Sequence, residues 1–143
     1  MIGNETTPAT GLEVLNRALD ASHTRVALFD FDGTLSLVRS GWMEVMVPMM
    51  IEILEACGSG ESADHLRSLV EDFVWRLTGQ ETIYQMLKLA DQVRKRGGSP
   101  LDPLEYKRIY LDRLWLRIQN RVEALRSGRA QPDEYLVPGS RRL

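Results

Sequence analysis

Two aspartates that lie one residue apart, Asp30 and Asp32, are the side chains of this chain best suited to chemistry. They end an apolar run over residues 26–29, which has the length and composition of a strand buried on both faces. Because side chains alternate along a strand, both carboxylates are expected to project together beyond its carboxyl end. Two carboxylates so close repel each other unless a cation lies between them or one keeps its proton. The spacing therefore predicts a chemical site and not a packing feature.

The turn after the aspartates supplies further polar groups. Gly33 allows a sharp bend, and Thr34 adds a hydroxyl and a backbone N–H. Residues 30–34, Asp-Phe-Asp-Gly-Thr, resemble the first signature (DxDGT) of the haloacid dehalogenase-like (HAD) superfamily, and the preceding apolar run and the following Leu35-Ser36 match as well. The alternative is an ordinary strand that runs into an acidic turn. The cost of burying two unpaired charges counts against that alternative.

The resemblance implies a role for each residue of the motif. Asp30 would be the nucleophile that forms an aspartyl-phosphate, and Asp32 would be the general acid and base. Mg²⁺ would be held by the Asp30 carboxylate and the Asp32 backbone carbonyl, while Gly33 and Thr34 would help to bind the phosphoryl group. An aspartate two residues after the nucleophile is typical of phosphatases and phosphomutases in this superfamily, not of dehalogenases. The implied activity is magnesium-dependent hydrolysis of a small phosphorylated metabolite.

Composition narrows the possible partners and compartment. The chain has 143 residues, of which 43% are hydrophobic and 27% charged, and its net charge of −2 gives no reason to expect a nucleic acid or an anionic membrane as partner. Its only cysteine, Cys57, is consistent with a reducing compartment. The amino terminus lacks the pattern of a signal peptide, and the most apolar stretch is too short to span a bilayer. A cytoplasmic protein is expected.

Apolar periodicity predicts helices on both sides of the motif. A short helix is expected over residues 11–21, before the strand, and four helices are expected after it. The first covers residues 42–57, the second has its apolar face over residues 66–77 and is closed by Gly79, the third covers residues 81–96, and the fourth runs from Asp102 to near Gly128. Pro48 should kink or divide the first of the four. The core stripe expected on the last helix is Leu104, Leu111, Leu114, Ile118, Val122 and Leu125. The basic residues of that helix are interpreted as a solvated surface, with a nucleic-acid face as the alternative.

A helical insert directly after DxDGT resembles the C1 cap of the HAD superfamily. The expected fold is therefore α/β, with a HAD-like, Rossmann-type core and a mainly α-helical cap. Only the first core strand is expected within this chain, which should be predominantly helical. The expected divisions are residues 1–36 as the start of the core, 37–134 as the cap, and 135–143 as the return to the core.

The later motifs of the superfamily cannot be placed in this sequence. They are a Ser or Thr at the end of a second strand, a Lys, and one or two acids after a later strand. We therefore expect this chain to be the N-terminal part of a longer phosphatase, inactive by itself, with the missing C-terminal half of the core as a partner. A phosphomutase and a non-catalytic helical interaction module with a vestigial motif are the alternatives.

Two arginines are candidates for contacting a substrate anion. Arg39 follows the motif closely, and Arg76 precedes a predicted turn at Thr78-Gly79. Phosphoglycolate-phosphatase-like members are the group most similar to this chain, but many of them carry an Asp-Ser pair where residues 36–40 read Ser-Leu-Val-Arg-Ser. This difference weakens an assignment to phosphoglycolate.

Overall fold

Four α-helices make up most of the structure. The computed structural model describes residues 18, 20 and 22–142, so the helix predicted for residues 11–21 lies largely outside the described residues. The helices are α1 (Met43–Glu55), α2 (Ala63–Arg76), α3 (Thr82–Lys95) and α4 (Pro103–Arg126). The expected helical character is confirmed. No helix within the described ranges is long and apolar enough to cross a membrane.

Local signals in the sequence account for where the helices begin and how they continue. At the start of α4 the Asp102 carboxylate accepts a hydrogen bond from the Leu104 N–H at 2.8 Å, and Pro103 occupies the first turn, where its missing N–H costs nothing. At the start of α2 the Ser62 hydroxyl accepts from the His65 N–H at 3.3 Å. Pro48 does not divide α1, which continues from Met43 to Glu55 with Pro48 on its exposed side.

The core lies between two helix pairs. α1 packs chiefly against α2 and α3 chiefly against α4, and α1 also contacts α3 and α4. Four methionines, together with leucine, valine and phenylalanine side chains, fill the space between the helices. The methionines are Met46, Met49, Met50 and Met86, all with almost no exposed surface. Unbranched thioether side chains adapt to the irregular gaps left where helices cross.

The buried face of α4 differs from the predicted one. Tyr106 and Tyr110 are buried, followed by Leu114 and Ile118, whereas Leu104 and Leu111 are exposed. The expectation that Leu104 and Leu111 belong to the core is therefore wrong. Both stripes follow helical spacing, and the one with two large aromatic side chains removes more apolar surface from water.

The strand predicted before the motif is not formed. Residues 24–30 have no regular secondary structure, and the exposed fractions of Val26 and Leu28 are 83% and 99%. A strand satisfies its backbone N–H and C=O groups only by pairing with a neighbour, and residues 22–142 contain isolated β-bridges but no strand for it to pair with. The prediction of a formed first core strand is wrong for this structure, and no Rossmann-type sheet is observed among the described residues.

A short backbone pairing brings the two ends of the helical segment together. The Leu37 N–H donates to the Tyr135 carbonyl at 2.7 Å, and the Val137 N–H donates to the Leu35 carbonyl at 3.0 Å. Ser36 and Leu136 form an antiparallel bridge between them. The chain therefore enters the helical segment and leaves it at the same place.

The corrected face of α4 predicts how two matched substitutions differ. Leu114→Ala removes a side chain with 2% exposure and should lower the free energy of unfolding by about 2–5 kcal/mol. Leu104→Ala removes an exposed side chain from the same helix and should change it by no more than about 0.5 kcal/mol. Urea denaturation of both variants measures the difference. Equal losses would show that the sequence-based stripe, and not the observed one, faces the core.

Candidate functional site

Both aspartates of the motif line a cavity of about 450 Å³ whose other walls come from the helices. The linker after the motif contributes Arg39, α1 and its N-cap contribute Met46 and Trp42, and α4 contributes Tyr110. The remaining wall is the turn between α2 and α3 with the start of α3: Thr78, Gly79, Gln80, Thr82 and Gln85. The volume is in the range of pockets that bind small molecules.

The turn after the aspartates is as sharp as the sequence predicts. Gly33 has φ +84°, a conformation that side chains disfavour, and its N–H donates to the Ser36 carbonyl at 2.8 Å. The Phe31 carbonyl accepts from the N–H groups of Leu35 and Ser36 at 3.0 and 2.9 Å. Gly33 and Thr34 are exposed and do not line the cavity. The structure brings the two carboxylates to the cavity but not the Thr34 hydroxyl.

The two carboxylates have different surroundings. Asp32 Oδ2 accepts a hydrogen bond from Arg39 Nη1 at 2.6 Å. Both side chains are partly exposed, so this ion pair stabilises the fold by only about 0–1 kcal/mol. Asp30 forms no hydrogen bond or ion pair with any described residue, which leaves its carboxylate open toward the cavity. One carboxylate is thus held by a cation, and the other is available to a ligand.

The linker that carries Arg39 is fixed by α4. Arg121 Nη1 donates to the carbonyls of Val38 and Ser40, at 2.9 and 2.8 Å. The Arg117 guanidinium lies so close to Gly41 that a Cβ there would be 2.8 Å from Nη2. These two arginines therefore hold the chain on both sides of Arg39.

Three basic residues of α4 form contacts with other parts of the fold and do not only face solvent. Arg113 pairs with Glu52 of α1 at 2.8 Å, Arg117 pairs with Glu44, and Arg121 binds the linker. These contacts with α1 and the linker were not predicted from the sequence. The usable signal was the spacing of the three arginines, four residues apart, which places them on one face of α4 beside acids eight residues apart on α1.

Tyr110 lines the cavity but was not predicted from the sequence as a site residue. Its side chain is buried against the cavity, and burial raises the pKa of its phenol, while the neighbouring Arg39 guanidinium offsets part of this rise. The phenol therefore stays protonated and can donate a hydrogen bond into the cavity. Nothing in the local sequence separates this tyrosine from Tyr106, one helical turn earlier.

The turn between α2 and α3 presents neutral polar groups to the cavity. The Val74 carbonyl accepts hydrogen bonds from Thr78 Oγ1 at 2.9 Å and from Gln85 Nε2 at 3.4 Å. Arg76, the other predicted anion contact, does not line the cavity: it pairs with Asp72 at 2.8 Å, and its side chain is 76% exposed. The structure thus places Arg39 at the site and Arg76 outside it.

The donor set at the cavity suits a hard cation. Among the described residues no cluster of three or more His, Cys, Asp or Glu side chains is placed to hold a metal. Mg²⁺ commonly binds through only one or two carboxylates and keeps several waters. The open Asp30 carboxylate and the neighbouring Asp32 provide oxygen ligands of this kind.

No protein-family model, curated protein or solved structure matches this chain. The function therefore has to be argued from the site itself, since a fold alone does not specify an activity. The site combines two carboxylates, a guanidinium, and a wall of neutral hydrogen-bonding groups around one cavity.

Tyr110 is expected to make the stability of the protein fall at alkaline pH. The unfolded chain releases this phenolic proton near the ordinary tyrosine pKa of 10.0, whereas burial raises the pKa in the folded chain, which keeps the proton to a higher pH. Between these two values the unfolded state binds fewer protons, so the free energy of unfolding falls as pH rises. Urea denaturation at a series of pH values should show a smaller fall for Tyr110→Phe than for the wild type. The half-exposed Tyr84 provides the control variant Tyr84→Phe, which should behave as the wild type. An identical fall in the wild type and Tyr110→Phe would contradict the prediction.

Proposed function

We propose that this chain carries the nucleophile and the cap of a magnesium-dependent phosphomonoesterase of the HAD type. The observation that carries the proposal is the pairing of an open carboxylate, Asp30, with a guanidinium-bound carboxylate, Asp32, at one cavity. A nucleophile must be free to reach phosphorus, and the guanidinium beside Asp32 is a group that can bind a phosphoryl oxygen. The surroundings of the two aspartates differ in this sense.

The proposed reaction has two steps. In the first, Asp32 takes up a proton from solvent once Arg39 has left it, the Asp30 carboxylate attacks phosphorus, the ester P–O bond breaks, and Asp32 gives that proton to the departing alcohol oxygen. In the second, Asp32 removes a proton from water, the water oxygen attacks phosphorus, and the Asp30–phosphoryl bond breaks to release inorganic phosphate. Mg²⁺, when bound by Asp30 and the Asp32 carbonyl, would supply positive charge that lets an anionic nucleophile approach an anionic substrate. Arg39 would move from Asp32 to a phosphoryl oxygen, since a guanidinium binds phosphate as well as carboxylate.

The helical segment, residues 37–134, is proposed to act as a cap over this site. The backbone pairing of Leu37 with Tyr135 and of Leu35 with Val137 supports this, because it closes the segment on itself next to the motif. The cavity between the aspartates and the helices is also expected for a cap that provides the substrate-contacting wall.

The remainder of the core is proposed to come from polypeptide outside the described residues. The exposed apolar side chains of Val26, Leu28 and Phe29 support this part of the proposal, because they would lie on both faces if this run formed a strand. A strand with apolar residues on both faces belongs inside a sheet that is covered on both sides. Without the Ser or Thr, Lys and acids that such a core would add, we expect little turnover.

Two other functions would use the same chain differently. A phosphomutase would share both aspartates and transfer the phosphoryl group back to a substrate. A non-catalytic interaction module is favoured by the lack of any strand in residues 22–142. Phosphate release discriminates among the three.

The first experiment tests the nucleophile in the complete protein, with an aryl phosphate and Mg²⁺. Asp30→Asn should abolish phosphate release, and Asp32→Asn should lower the rate about 10²- to 10⁴-fold, the range for loss of a general acid and base. Asp112→Asn removes an exposed acid of α4 outside the cavity and should leave the rate unchanged. Turnover retained by Asp30→Asn would refute the assignment of the nucleophile.

The second experiment tests the metal site without relying on turnover. In an NMR titration of the 143-residue chain with Mg²⁺, the amide signals of residues 30–34 should shift in the wild type and in Asp112→Asn. In Asp30→Asn the same signals should stay in place, because that variant lacks the open carboxylate. Equal shifts in wild type and Asp30→Asn would place the ion elsewhere.

A further inference from the structure

The charged groups of the cavity are confined to the motif and its linker. Asp30 and Asp32 are separated by one residue, and Arg39 is hydrogen-bonded to Asp32, so the three form one cluster. Every other lining residue is uncharged. Under the proposed function this cluster is used by the metal and the phosphoryl group. No other charged side chain among the described lining residues is left to recognise the rest of the substrate.

The uncharged wall has unused hydrogen-bonding capacity. The side chains of Gln80 and Thr82 form no hydrogen bond with any described residue. Gln85 is buried but uses only its Nε2, in a long bond of 3.4 Å, so its Oε1 is left to accept. The Thr78 hydroxyl donates to Val74 and keeps its oxygen lone pairs. Such groups need hydrogen bonds from water or from a ligand when the cavity is filled.

The remaining wall of the cavity is apolar, and this places a second requirement on a ligand. Trp42 gives the cavity an apolar wall next to the polar turn, and the buried Met46 also borders the cavity. A ligand that matches both must carry several hydroxyl groups and also present C–H surface. A linear or cyclic polyol has this combination.

Charged groups on the ligand would be poorly accommodated. A carboxylate on the leaving alcohol would find Arg39 as the only cation among the described lining residues, and under the proposed function Arg39 binds the phosphoryl oxygens. An ammonium group would compete with the metal for the two aspartates. Taking a charge out of water without a partner is costly, so the cavity disfavours both.

We infer that the substrate of this site is a phosphate monoester of an uncharged alcohol that bears several hydroxyl groups. The inference rests on the proposed function and adds to it the identity of the leaving group. The Thr78–Gln85 wall binds the hydroxyl groups, the Trp42 side contacts the carbon skeleton, and Arg39 binds the phosphoryl oxygens.

The experiment compares the binding of four probes to the complete protein in the presence of Mg²⁺. They are glucose 6-phosphate, 3-phosphoglycerate, phosphoethanolamine and inorganic phosphate, and their dissociation constants come from NMR titrations. Glucose 6-phosphate should bind about tenfold tighter than each of the others, the equivalent of one or two net hydrogen bonds.

Variants of the neutral wall separate recognition of the alcohol from recognition of phosphate. Thr82→Val and Gln80→Ala each remove a side-chain group without internal hydrogen bonds, so neither should disturb the fold. Each should weaken binding of glucose 6-phosphate about 3- to 10-fold, the cost of one hydrogen bond, and leave inorganic phosphate unaffected. Gln119→Ala, on α4 and away from this cavity, is the matched control and should change neither constant.

The outcomes distinguish the two proposals. Equal binding of all four probes, or tighter binding of a charged monoester, would overturn the inference about the leaving group and leave the proposed phosphatase intact. The same conclusion would follow if both wall variants bound glucose 6-phosphate as the wild type does. Failure of every probe, inorganic phosphate included, to bind would overturn the proposed function and the inference together.

Discussion

The position of the two aspartates relative to the helices depends on how the linker after the motif is held. Arg121 of α4 binds the carbonyls of Val38 and Ser40, and between them Arg39 reaches back to Asp32. These contacts involve only a few residues, but Arg121 belongs to the long helix α4, whose other face is part of the core. Individually exposed ion pairs contribute little to stability, whereas a guanidinium that satisfies two backbone carbonyls fixes the path of the chain. The packing of α4 on α1 thus determines where the linker lies and, through it, where the site residues lie.

The same linker explains why the motif is presented at the surface of the helical segment and not inside it. Residues 35–37 and 135–137 pair through their backbones, so the helical segment closes on itself directly after the motif and the motif lies outside it. The apolar residues that precede the motif are left outside the core formed by the helices. Large exposed apolar side chains usually mark a surface that another element covers. This fits the proposal that the motif belongs to a core completed by further polypeptide.

The helices could be predicted from the sequence because their signals are local. Apolar residues at steps of three and four, the Asp102-Pro103 start of α4 and the Gly97-Gly98 stop after α3 place the elements to within a few residues. The choice between two apolar stripes on α4 could not be made in this way, since it depends on which neighbouring helix the stripe meets. The expected strand failed for a related reason: its apolar pattern is local, but its hydrogen-bond partners are not.

The two acids that line the candidate site could be found from the sequence, but only some of the other lining residues could. Asp30 and Asp32 are recognisable from their spacing, and the turn at Gly33 follows from its position. The sequence offered Arg39 and Arg76 equally, and only the fold separates them, because Arg76 pairs with Asp72 one turn earlier on its own helix. Tyr110 and Gln85 reach the cavity from α4 and α3, so no motif near Asp30 could have indicated them.

The central claim is that Asp30 and Asp32 jointly face a divalent ion and a phosphoryl group. A crystal structure of the complete protein grown with Mg²⁺ and beryllium fluoride, which takes the shape of a phosphoryl group, tests it most directly. The account predicts a beryllium bonded to the Asp30 carboxylate, a magnesium ion in contact with Asp30 and the Asp32 carbonyl, and Arg39 turned toward a fluorine. Aspartates that point apart, with beryllium fluoride bound elsewhere or not at all, would contradict it.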